Sequence, residues 1–275
     1  MEKLHFLTAG MPLRTDKKKG YEDAFNVLDD MNLDGIEVEF VQGVRMSDRS
    51  KKLVKEASDK YLFTAHGPFF INLNAREPEK IDASIQRILD TATVANEFGG
   101  YSITYHAAFY LGNDKEIVFN RVLEKTAQII EILEKENNKI WIRPETTGKG
   151  TQWGDVDEII RLSKEFDQVL PCIDFSHVHA RSGGGYNTYD DFCNILEKIG
   201  TELGDVALNN FHAHLAGIAY TAKGERNHLP LEESDMNYKD LLKAMKKFDI
   251  KGALVCESPN IEDDCKLIKE YYETL

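Results

Sequence analysis

The sequence predicts an α/β protein with a single (β/α)8 TIM-barrel domain over residues 1–275, and three observations support this prediction. The first is length, since 275 residues are typical of such a barrel and long for most other single domains. The second is a strict alternation of eight short apolar runs with eight longer amphipathic runs. The third is the near-continuous apolar character of the short runs, which is typical of parallel strands buried on both faces. An open doubly wound sheet is the alternative, but no GxGxxG motif follows the first strand.

Each predicted strand is followed by one predicted helix along the whole chain. The strands cover residues 5–10, 35–40, 61–66, 101–106, 139–145, 168–174, 209–217 and 252–258. The helices cover residues 21–31, 47–61, 79–99, 115–137, 155–166, 190–200, 238–248 and 261–275. The spacing of one buried helical face is clearest in the third and fourth helices, at Ile81, Ile85, Leu89 and Ala92, and at Val118, Val122, Ile129 and Leu133.

The composition favours a globular protein of a reducing compartment. Hydrophobic residues make up 42% of the chain, which is enough for a large core. The four cysteines lack CxxC spacing, and Cys172 and Cys256 lie in apolar strands, so we expect free buried thiols and a cytoplasmic location. The amino terminus lacks the apolar core of a signal peptide, and no run approaches the roughly 18 apolar residues that span a bilayer.

The net charge of −13 and the pI of about 5.1 disfavour broad nonspecific binding to nucleic acid. This argument is weak for a metalloprotein. Bound cations neutralise carboxylates and provide local positive charge where a phosphate would lie. The charge therefore does not exclude a DNA substrate.

Residues that can bind a metal end or follow six of the predicted strands. Seven of the eight histidines, all except His5, lie at or near these strand ends or in the loops that follow them. The carboxyl ends of barrel strands meet at one rim, where barrel enzymes place their chemistry. Nitrogen and carboxylate ligands together suit zinc or manganese. The predicted ligands are His66, His106, Glu145, Asp174, His177, His214, His228 and Glu257.

Several of these residues also have a simpler interpretation. Glu145 could form a salt bridge with Arg143, and Asp174 could cap the turn that follows it. We expect His177 and His228 in loops beyond strand ends, and we interpret His179 as an ordinary loop histidine. The alternation of His212 and His214 predicts that both face one side of a strand, with His214 nearer the rim and His212 deeper in the barrel.

Four motifs resemble those of the endonuclease IV family of apurinic/apyrimidinic endonucleases, within the xylose-isomerase-like TIM-barrel superfamily. The His-Gly-Pro at residues 66–68 resembles the family's His-Ala-Pro-Tyr. PETTGKGTQWG resembles its Glu-Asn-Thr-Ala-Gly-Gln-Gly, and CIDFSHVHARSGG its Cys-Asp-Thr-Cys-His segment. HLPLEES resembles its His-x-x-Leu-Gly-Glu-Gly. These motifs follow the family's order along most of the chain.

The resemblance implies a site of two or three Zn²⁺ ions, with Mn²⁺ as an alternative, that cleaves damaged double-stranded DNA 5′ to abasic sites. It implies one ion held by His66, His106 and Glu145, and a second held by Glu145, Asp174, His214 and Glu257. A third would bind His177 and His228. Glu145 and Glu257 are the predicted catalytic residues. We expect a monomer without an organic cofactor and without a membrane partner.

Two departures from the family concern the loop around His228. The family has an aspartate two residues before this histidine, where the present chain has Arg226. Glu225 is the candidate substitute for that ligand. The family's Gly-Glu-Gly also becomes Glu232, Glu233 and Ser234. Both departures favour a diverged activity.

Phe69 and Arg45 are the predicted DNA contacts. Phe69 matches the family's aromatic residue after His-x-Pro, and Arg45 falls where a family arginine enters the base stack. Side chains that wedge into the duplex are one way to reach a buried nucleotide. These two positions therefore predict a DNA-facing edge of the rim.

Two other functions remain open at this point. A sugar isomerase or epimerase of the same superfamily would need one divalent ion and the quartet Glu145, Asp174, His214 and Glu257. The extra histidines favour the nuclease, because a single-ion site has no need of all of them. A metal-binding homologue without catalysis is the third possibility, favoured by Arg226 and the acidic composition.

Overall fold

A parallel eight-stranded sheet forms the centre of the protein, in a computed structural model that describes residues 1–275. The strands in chain order are β1 (Leu4–Ala9), β2 (Gly35–Glu39), β3 (Leu62–His66), β4 (Ser102–Tyr105), β5 (Ala108–Phe109), β6 (Trp141–Pro144), β7 (Gln152–Trp153), β8 (Ile173–Asp174), β9 (Phe211–Leu215), β10 (Gly217–Thr221), β11 (Gly224–Leu229) and β12 (Gly252–Cys256). The helices are α1 (Tyr21–Met31), α2 (Asp48–Ala57), α3 (Pro78–Glu97), α4 (Lys115–Lys135), α5 (Val156–Ser163), α6 (Phe175–Arg181), α7 (Tyr189–Leu203), α8 (Asp205–Leu208), α9 (Tyr238–Lys247) and α10 (Glu262–Glu273), with a 3-10 turn at Leu231–Glu233.

The sheet closes into the predicted TIM barrel. Its strand order is β6-β4-β3-β2-β1-β12-β9-β8. The two end strands meet through parallel bridges between Ile142 and Val169 and between Glu145 and Cys172. The sixth barrel strand along the chain, β8, has only two residues, because Pro171 has no backbone N–H to donate to the ladder. The single-domain barrel predicted from the alternation is confirmed.

Two apolar layers hold the barrel together. The larger contains 62 buried residues and fills the space between the strands and the helices. A separate cluster of Leu7, Ala253 and Val255 forms a small apolar patch of its own. Gly252 allows β12 to approach β9, since a Cβ at this position would lie 2.0 Å from the carbonyl oxygen of Phe211. Other buried side chains on the barrel strands are polar or charged, and several of them form the candidate site.

The predicted helices are present with shifts of a few residues at their ends. In α4, the predicted face of Val118, Val122, Ile129 and Leu133 is fully buried. In α3, the buried face is instead centred on Ile88, Ala92 and Ala95, and Ile81 and Ile85 are only half-buried. None of the ten helices has both the length and the apolar character needed to cross a membrane.

Strict alternation was wrong at three places near the rim. The short helix α6 follows β8 directly, where a loop was expected. An antiparallel hairpin of β10 and β11 follows β9, and a second small pair joins β5 and β7. These additions rise from the carboxyl ends of the barrel strands, so they extend the rim rather than the barrel wall.

Candidate metal centre

The carboxyl ends of the barrel strands bring the eight predicted ligands together. His66 is the last residue of β3, and Asp174 is the last residue of β8. Potential ligand atoms lie within 4.8 Å of one another in three overlapping groups: His66, His106 and Glu145; Glu145, Asp174, His214 and Glu257; and Asp174, His177 and His228. Glu145 and Asp174 each belong to two groups, so the three groups form one continuous centre.

Glu145 lies in the middle of this centre. Its Oε2 is 3.0 Å from Nε2 of His66, and its Oε1 is 3.1 Å from Nε2 of His106. The same Oε1 is 3.1 Å from Nδ1 of His177. Each carboxylate oxygen therefore faces a different set of imidazoles, as expected for a carboxylate that bridges two ions.

The alternative salt bridge between Glu145 and Arg143 is wrong. The Arg143 guanidinium donates instead to the carbonyl oxygen of Pro171, to the hydroxyl of Tyr101 and to both oxygens of Asn210. Arg143 is buried, and its partners Tyr101 and Asn210 directly precede β4 and β9, at the opposite end of the strands from the rim. Glu145 is left without a basic side chain other than histidine.

Asp174 serves two purposes at once. Its Oδ1 accepts a hydrogen bond of 2.7 Å from the backbone N–H of His177, which caps α6. Its Oδ2 is buried, without a hydrogen-bond donor, and lies 3.1 Å from Nδ1 of His177. Capping and metal ligation, which the sequence presented as alternatives, are therefore compatible. The cap also moves His177 from the expected loop onto the first turn of α6.

The third group lies between α6 and the hairpin. Nε2 of His177 and Nε2 of His228 are 3.5 Å apart. His228 lies on β11 rather than in the expected open loop, so its position is fixed by backbone pairing with Ile218. Two imidazole nitrogens that face one another at this distance can both contact one ion at zinc–nitrogen distances of about 2.0–2.1 Å.

A β-bulge at Arg226 brings Glu225 toward this group. Ala219 pairs with Asn227 and Tyr220 pairs with Glu225, so Arg226 is the extra residue in the ladder. Arg226 is exposed, whereas Oε2 of Glu225 lies 3.7 Å from Nε2 of His177. The bulge changes the alternation along β11, and Glu225 therefore occupies the side on which a ligand is needed.

Two glycines allow the hairpin to rest closely on the loop after β6. A Cβ at Gly148 would lie 2.6 Å from Cβ of Glu225, and a Cβ at Gly224 would lie 2.3 Å from the carbonyl oxygen of Gly148. Glu225 also donates its backbone N–H to that carbonyl oxygen at 2.9 Å. The segment that carries Glu145 thus supports the segment that carries Glu225.

Backbone carbonyl groups orient three of the candidate histidines. Nδ1 donates to the carbonyl oxygen of Gly67 in His66 (2.7 Å), of Thr146 in His177 (2.9 Å) and of Glu257 in His228 (3.2 Å). A carbonyl oxygen can only accept, so Nδ1 carries a proton in all three rings. Nε2 is therefore the nitrogen that remains available to a metal, an arrangement that is usual for histidines that bind metals.

Buried atoms without hydrogen-bond partners show that the centre fits metal ions. Oε1 of Glu145, Oδ2 of Asp174, Nε2 of His106 and Nδ1 of His214 are all in this state. An unsatisfied buried polar atom is unfavourable by about 1–3 kcal/mol. Because these atoms converge on the same space, cations placed among them would satisfy all of them.

Charges in the centre shift several pKa values. Burial opposes the charged form, yet the bond to Glu145 and nearby carboxylates raise the pKa of His66 to about 10. Likewise against burial, Asp174 and Glu145 raise the pKa of His177 to about 10. Burial raises the pKa of Asp174 to about 6. In Glu257, His214 overcomes the effect of burial and lowers the pKa to about 2. The protons on the histidines thus provide the positive charge that metal ions would otherwise supply.

Two further histidines, His212 and His179, have structural partners. His212 is fully buried below the rim, as predicted. The interpretation of His179 as a loop histidine is wrong, because it is buried in α6 with its Nε2 3.1 Å from Oδ1 of Asp235. Asp235 also accepts a hydrogen bond of 2.6 Å from the hydroxyl of Tyr220 on the hairpin.

Two carboxylates on β2, Glu37 and Glu39, also face the site and were not among the predicted ligands. Glu37 is completely buried, and Glu39 is half-buried with a buried Oε1 that has no partner. Burial raises the pKa of Glu39 to about 8. Potential ligand oxygens of Glu37, Glu39 and Glu257 lie within 4.8 Å of one another. The sequence contains a pattern that could have indicated them, since two acidic residues at i and i+2 in an apolar strand share one face.

The predicted DNA contacts lie on the surface near this centre. Phe69 follows His66 by three residues, and 65% of its surface is exposed. Arg45 is exposed in the segment between β2 and α2. Both positions are accessible to a large substrate. Neither side chain belongs to the metal centre itself.

Comparisons with known proteins agree with this architecture. The family model described as Xylose isomerase-like TIM barrel matches residues 25–273. An uncharacterized protein of Methanocaldococcus jannaschii is 46% identical over 272 residues, which cover 99% of this chain and 98% of that one. A probable endonuclease 4 of Staphylococcus epidermidis is 26% identical over 145 residues, or 50% of this chain and 47% of that protein.

Solved structures give the same result at the level of the fold. Endonuclease IV from Thermus thermophilus has a TM-score of 0.73 at 17% identity, and the match covers 98% of this chain and 100% of that one. A D-tagatose 3-epimerase-like protein has a TM-score of 0.72 at 18% identity, with coverage of 98% and 97%. At such low identity these two matches show a shared fold alone. The resemblance to endonuclease IV drawn from the motifs is confirmed at the family level, and the chain belongs to the xylose isomerase-like TIM-barrel family.

Proposed function

We propose that this protein is a zinc-dependent phosphodiesterase of the endonuclease IV type, which cleaves DNA 5′ to abasic sites. The observation that carries the proposal is the overlap of three ligand groups through Glu145 and Asp174. A single ion cannot contact five histidines and three carboxylates at once. A cluster of ions can, and such clusters suit phosphoester hydrolysis because they can act on both the attacking and the leaving oxygen.

The ligand sets follow the three geometric groups. His66, His106 and Glu145 would hold one ion, and Glu145, Asp174, His214 and Glu257 a second. His177 and His228 would hold a third, with Glu225 in place of the aspartate that the family carries. Zinc bound in these sets would lower the pKa of a water molecule and stabilise the negative charge of the leaving oxygen. Glu145 and Asp174, which each belong to two sets, fix the spacing between them. Glu145 and Glu257 are the proposed catalytic residues.

The DNA would lie across the rim on the side of Phe69. A cavity of about 820 Å³ adjoins this side and is lined by Phe69, Phe70 and Phe109, among others. Arg76 and Arg87 also line it, and their guanidinium groups bond only to backbone carbonyl oxygens. Aromatic faces stack on bases and guanidinium groups bind phosphates, so this surface suits a nucleic-acid strand despite the negative net charge. Arg45 would contact the duplex from the segment after β2.

A sugar epimerase with one metal ion is the second candidate. Glu145, Asp174, His214 and Glu257 form a compact group that alone would hold a single divalent ion. The likeness to a D-tagatose 3-epimerase-like protein shows that the fold serves both kinds of protein. A binding protein without catalysis would also use these ligands. The histidines outside the quartet favour the nuclease over both.

The test combines metal counting with a cleavage assay. Elemental analysis of the purified protein should give two or three zinc ions per chain, whereas an epimerase would contain one manganese or magnesium ion. A duplex with a single abasic analogue should be cut at that position, and a matched undamaged duplex should remain intact. Treatment with a chelator should abolish cleavage, and added zinc should restore it. A zinc-loaded protein that leaves the abasic duplex intact would contradict the proposal.

A further inference from the structure

Glu37 connects the metal centre to the barrel interior. It lies on β2, is completely buried, and has its Oε1 3.0 Å from Nε2 of His214. His214 lies on β9, three strands away in the sheet order, so this contact crosses the inside of the barrel. No lysine or arginine lies within ion-pair distance of Glu37, and its charged partners are the imidazoles of His214 and His212. Glu37 was absent from every predicted set of ligands.

The second oxygen of Glu37 contacts two further buried side chains. Oε2 accepts a hydrogen bond of 2.7 Å from Oγ1 of Thr64 and lies 3.1 Å from Nε2 of His212. Nδ1 of His212 is in turn 2.9 Å from Oγ of Ser102. All of these side chains are buried. The Glu37 carboxylate therefore lies between two rings, is anchored by the hydrogen bond from Thr64 and has no exposed surface.

His214 differs from His66 and His228 in the direction of its ring. In those two residues, Nδ1 bonds to a backbone carbonyl and Nε2 faces the centre. In His214 the order is reversed, since Nε2 faces Glu37 and Nδ1 lies 3.2 Å from Oε1 of Glu257 and 3.5 Å from Oε1 of Glu145. A side-chain carboxylate takes the place of the backbone carbonyl at this one ligand.

We infer that Glu37 is a positioning residue that fixes the ring of His214 so that Nδ1, and not Nε2, binds the metal. The inference rests on the proposed metal centre. A carboxylate accepts a hydrogen bond from Nε2–H, which leaves the lone pair on Nδ1 and makes that nitrogen a stronger donor to a metal. His212 and Thr64 keep Glu37 in place, although neither contacts the centre.

Glu37→Gln in the full-length chain tests this role. An amide presents one oxygen and one NH₂ group, so it cannot accept from both His212 and His214. Zinc affinity, measured by competition with a chromophoric chelator, should fall by about 10- to 100-fold, the usual effect of removing such a partner. Thr64→Val is the matched control, because it removes a donor to Glu37 but keeps the carboxylate, and its affinity should fall less.

Nitrogen NMR of the parental protein provides a readout that does not depend on any variant. In zinc-loaded protein with ¹⁵N-labelled histidine, His214 should show a proton on Nε2 and metal-type shifts at Nδ1. A proton on Nδ1 of His214 would overturn the inference even if Glu37→Gln does not fold. A folded Glu37→Gln protein with parental zinc affinity would also overturn it, while leaving the proposed function intact. A parental protein that binds no zinc would overturn both.

Discussion

Nε2 of His177 and Nε2 of His228 face one another at 3.5 Å, although one residue lies on a helix and the other on a hairpin. Each ring is held by a backbone carbonyl on its far side, so neither can turn away easily. The pair is therefore ready to receive an ion without rearrangement. Glu225 lies 3.7 Å from the same nitrogen of His177 and is the nearest additional carboxylate on the hairpin side.

Glu225→Ala should remove about one zinc ion per chain and leave the others in place, because only the third group uses the hairpin. Metal content after dialysis against a weak chelator measures this change. Arg226→Ala is the matched control, since Arg226 is the adjacent exposed residue of the bulge and should retain the parental content. Equal zinc content in both variants would exclude Glu225 as a ligand.

Glu145→Gln should abolish cleavage of the abasic duplex, with a loss on the order of 10³-fold or more, because an amide cannot bridge two ions. The fold should survive, since the side chain lies at the rim. Circular dichroism checks that the fold is retained, and metal content checks whether the loss of cleavage comes with a loss of ions. Glu116→Gln, an exposed carboxylate on α4, should behave like the parental protein. Cleavage at the parental rate by the Glu145 variant would show that it does not bridge.

Zinc added to the metal-free protein near neutral pH should release protons. The pKa values of His66 and His177 are about 10 in the absence of metal, well above the ordinary value of 6.5, so both rings carry a proton that an ion must displace. A pH indicator in weakly buffered solution measures this release. Zinc binding without proton release would mean that these histidines are not ligands.

The same shifts predict how the stability of the metal-free protein depends on pH. A pKa that is raised in the folded state stabilises the fold fully below the unfolded value of about 6.5 and loses this effect as the pH rises through about 10. The melting temperature of chelator-treated protein should therefore fall across this alkaline range. Zinc-loaded protein is the control, and its melting temperature should change less there.

Phe69→Ala should weaken binding to abasic DNA by about 1–3 kcal/mol, the usual contribution of one stacked aromatic ring. Fluorescence anisotropy with a labelled duplex measures the change, and the zinc content should not alter. Val206→Ala is a suitable control, because Val206 is also exposed but lies on α8, before β9 and so at the opposite end of the barrel. If both variants bind abasic DNA with equal affinity, Phe69 does not contribute to DNA binding.

The sequence predicted those features that depend on long periodic segments. The eight barrel strands, the buried face of α4 and the convergence of strand ends all follow from apolar spacing and from the geometry of parallel strands. Because the carboxyl ends of the barrel strands meet, His66, Glu145 and Asp174 could be assigned to one rim before any contact between them was known.

Short elements and long-range pairs were not predictable in this way. Helix α6 has seven residues, too few for a clear helical period, and Asp174 starts it while it also faces the centre. The hairpin of β10 and β11 is mostly polar, and a bulge at Arg226 leaves no signal in one sequence. The role of Glu37 depends on His214, which lies on β9, far along the chain. The sequence shows the acidic residue but does not indicate this partner.

The hairpin β10/β11 contributes His228 to the third group and brings Glu225 close to it, whereas the ligands of the first two groups stand on or next to the barrel strands. The barrel strands pack into the main hydrophobic core, whereas the hairpin contacts the loop after β6 through the backbones of Gly148 and Gly224. In the proposed centre, the number of bound ions would therefore be a separable trait of this scaffold. Sequence changes confined to the hairpin would add or remove one ion, and with it a mode of chemistry, while the barrel stays as it is.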